Sequence, residues 1–184
     1  MILALVVAAS VPVMRFDPTD RALPVSASAS AIGLFRQTCF EPFPSADKAA
    51  AAIAARSDFT PWKPGTDMEA QLQAALPSRI WFSQTATVRF IARGTSAHDL
   101  PDPQCSVMAT VSGDEQPEAL FSQMAAELRL PAGKVGGKKR FRTSMWDISR
   151  PQGQRWRVIL GTQSEGDGLH LRLSMLNLAP EPRS

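Results

Sequence analysis

The chain has no tyrosine, two histidines and two cysteines in 184 residues, and each shortage removes a class of chemistry. His98 and His170 stand far apart, and neither CxxC nor HxxxH spacing occurs. A zinc centre, which needs clustered Cys and His ligands, is therefore not expected, and no other metal is implied. Cys39 and Cys105 lie 66 positions apart, whereas a redox-active dithiol keeps its sulfurs close in sequence. No GxSxG elbow surrounds any serine, so the strand-to-helix turn that exposes a hydrolase nucleophile has no candidate. The glycine-rich segment Gly133-Lys134-Val135-Gly136-Gly137-Lys138-Lys139-Arg140 also fails as a phosphate loop. Its outer glycines enclose three residues rather than four, and Lys139, not Ser or Thr, follows Lys138. The segment reads instead as a flexible basic loop, and no cofactor is implied.

Long apolar runs are also missing. Ile2 to Val13 is almost uniformly apolar, the length of a signal-peptide core and well short of the roughly 20 residues a membrane-spanning helix needs. No Lys or Arg precedes Arg15, but small residues at Val7-Ala8-Ala9 and Ser26-Ala27-Ser28-Ala29 suit a peptidase. The expectation is an exported protein, periplasmic or secreted, with residues 1–25 as leader and linker and 26–179 as one domain. An even, minimal cysteine pair agrees, because a structural disulfide between Cys39 and Cys105 persists only in an oxidising compartment. A bridge requires both sulfurs to point into the core.

Periodicity supplies that orientation. Ile32, Phe35 and Cys39 recur at three- and four-residue intervals, predicting a helix from Ala27 to Phe40 with Cys39 on its buried face. Pro42 and Pro44 end it, and Ser45 caps a second, alanine-rich helix through Ala55. Met68 to Leu76 has helix formers but is ambiguous before Pro77. Strands are expected at 80–82, 85–91 and 105–111; on the last, Cys105, Val107, Ala109 and Val111 share one face. Pro117 opens a helix whose stripe is Leu120, Phe121, Met124 and Leu128. Three more strands, at 141–148, 155–162 and 169–178, are joined by short turns that favour antiparallel pairing. The predicted fold is α+β, a two-layer sandwich of an antiparallel sheet of five or six strands with helices on one face.

Charge is more uneven than the net +3 suggests: Arg129 to Arg157 holds nine Lys or Arg and one acid, Asp147. Alternation assigns Arg142, Arg155, Arg157 and Arg172 to the solvent face of the C-terminal strands, opposite Phe141, Met145, Trp156 and Leu171. With Lys134, Lys138, Lys139 and Arg140 they form a candidate anion-binding surface. The competing reading is a solvated face whose arginines lie over Trp146 or pair with Asp147 and Glu165. For catalysis, His98 with Asp99 and Asp102 is the one grouping from which a small hydrolase site can be drawn.

The stretch LFRQTCFEPFPSADKAAAAIAA over residues 34 to 55, with PQCSVMATV and the terminal WDIS, WRVILGTQ and LHLRLSMLNL, resembles a group of small bacterial envelope proteins. They share a leading helix with Thr-Cys, a proline break and a later Pro-x-Cys strand. The likeness covers most of residues 30 to 178. It implies export, a disulfide and one compact domain, and it transfers no activity. The leading expectation is a non-enzymatic binding domain for an anionic envelope component or another envelope protein. The alternatives are a hydrolase around His98 and an anion or nucleic-acid binder built on Lys134 to Arg157, although export argues against nucleic acid.

Overall fold

The computed structural model describes residues 23–43, 45–75, 78–91, 104–138, 140–150 and 154–178. The apolar run Ile2 to Val13, the His98-Asp99-Asp102 grouping and Lys139 lie outside them. The elements, in chain order, are β1 (Val25–Ser26), α1 (Ser28–Phe35), a π-helical turn (Arg36–Phe40), α2 (Ala46–Ala54), β2 (Thr60–Pro61), α3 (Asp67–Ala75), β3 (Ser78–Phe82), β4 (Ala86–Ile91), β5 (Gln104–Ser112), α4 (Pro117–Leu128), β6 (Lys134–Lys138), β7 (Phe141–Ser149), β8 (Arg155–Glu165) and β9 (Gly168–Leu178). The class is α+β as expected, but the sheet is larger than five or six strands. Among the described residues it has nine, in the order β2-β3-β4-β5-β9-β8-β7-β6, with β1 alongside β5. All neighbours are antiparallel except β1, which runs parallel to β5 at Val25↔Thr110 and Ser26↔Val111.

The three unforeseen strands share a physical cause. β1 and β2 are two residues long, too short to show alternation. β6 occupies the segment expected to be a loop, and its sequence KVGGK has no apolar period. It is held by backbone pairing from Lys134↔Met145 to Lys138↔Phe141, at the edge of the sheet, where side chains need not be apolar. Gly137 is required there. Its φ is +91°, and a Cβ would lie 2.3 Å from the Phe141 carbonyl oxygen.

Helix termini follow their local chemistry. Ser45 accepts from the Lys48 amide at 3.2 Å, the expected cap of α2. The ambiguous stretch after Thr66 is a helix because of a capping box: the Glu69 amide donates to Thr66 Oγ1 at 3.2 Å, and the Thr66 amide donates to Glu69 Oε2 at 3.1 Å. The pair satisfies donors that would otherwise lack partners at the start of α3. α4 begins at Pro117 and ends with Arg129 in the left-handed region at φ 53°, the Leu130 amide reaching back to the Ala125 carbonyl at 2.8 Å.

The core lies between the helices and one face of the sheet. Ile32, Phe35 and Cys39 are buried as their spacing predicts, against Val88, Val107, Leu160, Leu173 and Met175 from the sheet and Leu120, Phe121 and Met124 from α4. Cys39 and Cys105 form a disulfide with a Cα–Cα distance of 5.6 Å, inside the roughly 7 Å limit for an undistorted bridge. The bond joins the π-helical turn to β5 through the middle of this core.

Candidate functional site

Sheet register decides which cations share a surface. Burial of Ser144 and Trp146 on β7 sets that strand's phase, and the pairs Ser144↔Leu160, Trp146↔Val158 and Arg142↔Thr162 put all three β7 residues on the helix-covered face. Arg142 is therefore not part of the solvent face. It reaches α4 instead, where its guanidinium meets Glu118 at 2.5 Å, and Phe141 and Met145 turn outward. The alternation of β7 is ambiguous because Phe141 and Met145 stand at odd positions and Trp146 and Ile148 at even ones. The indole carries the larger area to bury and decides the phase.

The remaining candidates do assemble. Reading pairs across the outer face, one row runs Lys134, Met145, Ile159, Ser174, Ser106, Arg89. The next runs Gly136, Thr143, Gly161, Arg172, Met108, Thr87, and the third Lys138, Phe141, Gln163, His170, Thr110. Arg157 and Arg155 lie on the same face of β8, opposite Asp147 and Ser149. Arg140 is exposed in the turn between β6 and β7. Lys134, Lys138, Arg155, Arg157 and Arg172 thus occupy one side of the sheet. Arg89, which alternation along a single strand does not relate to the C-terminal strands, joins them through β4.

The face is divided. On the β4 and β5 side Thr87, Ser106 and Thr110 are buried. Toward β6 the exposed residues include Lys134, Lys138, Phe141, Asp147, Ser149 and Gln163, with Arg172 exposed on β9. Arg157 is partly neutralised by a two-point contact with Asp147, Nε to Oδ1 at 2.6 Å and Nη2 to Oδ2 at 2.9 Å. That is the pairing foreseen by the solvated-face reading. These hydrogen bonds, with the attraction of the guanidinium charge, hold the Asp147 carboxyl below its usual range against a smaller opposing effect of desolvation. A lowered pKa means the pair persists at ordinary pH and breaks only as pH falls through the depressed value. His170 bonds Thr110 Oγ1 through Nδ1 at 3.1 Å and faces Glu165 at 3.6 Å, so Glu165 partners the histidine.

Two clefts lie elsewhere. One of about 480 Å³ opens between the π-helical turn and the end of α4, lined by Arg36, Phe40, Glu41, Ala126, Glu127, Leu128 and Arg129. Arg36 is bound there to Glu41 at 2.8 Å and Glu127 at 2.5 Å, so both carboxylates of the lining are engaged by one guanidinium. The other, about 70 Å³, is lined in part by the hydroxyls of Ser26, Ser30, Ser83 and Thr85 and by Arg56 and Asp58, which bond each other. Ser83 Oγ is taken up by the turn before β4, accepting from the amides of Thr85 and Ala86. Among the described residues no group of three or more His, Cys, Asp or Glu is placed to hold a metal, and no helix is long and apolar enough to cross a membrane.

No protein-family model, curated protein or solved structure matches this chain.

Proposed function

We propose that the protein is an exported, non-enzymatic binding domain, periplasmic or secreted, that recognises an anionic component of the cell envelope through the outer face of its sheet. The observation that carries this reading is the convergence of Lys134, Lys138, Arg155, Arg157 and Arg172 on one face by register. No two of these cations stand directly opposite each other in register, so the face carries a spread of positive charge, and such a field favours an anionic ligand long enough to meet several of them. The buried bridge between Cys39 and Cys105 supports an oxidising compartment.

Register also supplies the control. The triple variant Lys134→Glu/Lys138→Glu/Arg155→Glu is expected to lose at least tenfold in affinity for an immobilised carboxylated or sulfated polymer, while Arg142→Gln, on the other face, binds as wild type. Asp147→Asn is expected to strengthen binding severalfold by releasing Arg157 at neutral pH. Equal binding by wild type and the triple variant would refute the anionic ligand. Export is checked separately, by fractionating cells that express the full chain and alkylating free thiols before lysis; a reduced, cytoplasmic protein contradicts it.

A further inference from the structure

Phe141 is the unexplained residue on this face. It opens β7, is 53% exposed, and stands directly opposite Lys138. Across the next strand lies Gly161, paired with Thr143 on one side and Arg172 on the other. A Cβ built on Gly161 would touch Phe141 Cε2 at 3.9 Å and Thr143 Cγ2 at 3.9 Å, so the ring leans along the sheet over a glycine rather than projecting from it. The result is an aromatic surface at the level of the sheet with cations on both sides: Lys138 one strand away and Arg172 beyond Gly161.

We infer that Phe141 is the stacking platform of a site for a linear acidic polysaccharide, one sugar ring packing on the phenyl face while Lys138 and Arg172 take carboxylate or sulfate groups of its neighbours. The inference rests on the reading of the outer face as an anion-binding surface and names its ligand class. Three observations favour it. Lys138 and Arg172 are three strands apart, roughly 14 Å at ordinary inter-strand spacing, so a ligand that reaches both is an extended chain and not a small free anion. The C–H face of a sugar ring carries partial positive charge and packs on the negative face of an aromatic ring, which places an apolar contact between two ionic ones. A bilayer, by contrast, is entered by apolar side chains that protrude, and Phe141 lies along the sheet.

Polygalacturonate, an uncharged glucan, single-stranded oligo(dT) and vesicles containing anionic lipid serve as probes in binding titrations over a range of salt concentrations. Wild type is expected to bind polygalacturonate and not the neutral glucan. Phe141→Ala weakens that binding about tenfold with the salt dependence unchanged, Phe141→Trp retains it, and Lys138→Glu weakens it while flattening the salt dependence. Phe141→Ala binding polygalacturonate as wild type overturns the stacking role; if Lys138→Glu still weakens binding, the anionic face survives. Tighter binding of oligo(dT) or of vesicles than of polygalacturonate overturns the polysaccharide. Failure of wild type to bind polygalacturonate, oligo(dT) and anionic vesicles alike overturns both readings. A melting temperature within about 2 °C of wild type for each variant, expected for exposed positions, separates these results from misfolding.

Discussion

The double variant Cys39→Ala/Cys105→Ala is expected to lose about 4 kcal/mol of unfolding free energy on the chain-entropy account, because the bridge closes a long loop. The two cysteines are 66 residues apart, and that loop contains α2, β2, α3, β3 and β4. Cutting the cross-link therefore enlarges the conformational freedom of the unfolded chain over the whole segment that builds these elements. Both sulfurs are fully buried, so alanine also forfeits packing. Wild type held in reductant separates the two contributions, since it keeps both sulfur atoms and loses only the bond. Urea unfolding of wild type, reduced wild type and the double variant measures the series, and a melting temperature roughly 10 °C lower is expected for the reduced protein. Reduced and oxidised protein unfolding within 1 kcal/mol of each other would show that the bridge adds little to what the packed core already fixes.

The bridge was legible because two independent periodicities pointed at it. Ile32, Phe35 and Cys39 follow a helical interval, Cys105, Val107, Ala109 and Val111 an alternating one, and both sets are buried. The six long strands were visible for the same reason. Where an apolar period is absent or doubled, the sequence loses its information. β6 carries two glycines and two lysines and is recognisable only from the strand beside it. On β7, both phases offer apolar residues, so alternation alone puts Arg142 outward and Phe141 inward, the reverse of the arrangement that Trp146 and Glu118 impose. The same inversion concealed the exposed ring. Arg89 was missed because its place on the outer face depends on the register Arg89↔Ser106↔Ser174, a relation between residues far apart in the chain. A single strand's pattern reports which residues alternate; the pairing across strands reports which cations meet.

A core substitution at a second anchor of the same helical turn has the second large expected effect. Trp156 on β8 is 1% exposed, and Phe43, just beyond the π-helical turn, meets it edge-on with ring centroids 5.4 Å apart and planes at 81°. Phe40 in turn lies beneath the Arg150 guanidinium, 4.6 Å from centroid to Cζ, and its carbonyl accepts from Arg150. Residues 39 to 43 thus tie the helical layer to the sheet at three places: Cys39 to β5, Phe40 to the end of β7, Phe43 to β8. Trp156→Ala is expected to cost about 3–5 kcal/mol, and Phe43→Ala to share part of that loss through a coupling of about 1 kcal/mol in a double-mutant cycle. Trp156→Phe is the informative contrast. The indole Nε1 is buried with no hydrogen-bond partner among the described residues, so the native state already bears the cost of a desolvated donor. Phenylalanine removes that donor along with some packing volume, and the two changes oppose each other. Chemical denaturation should place the Trp156→Phe loss at about half that of Trp156→Ala or less, because the phenyl ring keeps most of the packing and the unbonded donor leaves with the indole. A Trp156→Phe loss as large as that of Trp156→Ala would show instead that the N–H is bonded and that the indole holds this end of the fold as a donor as well as a ring.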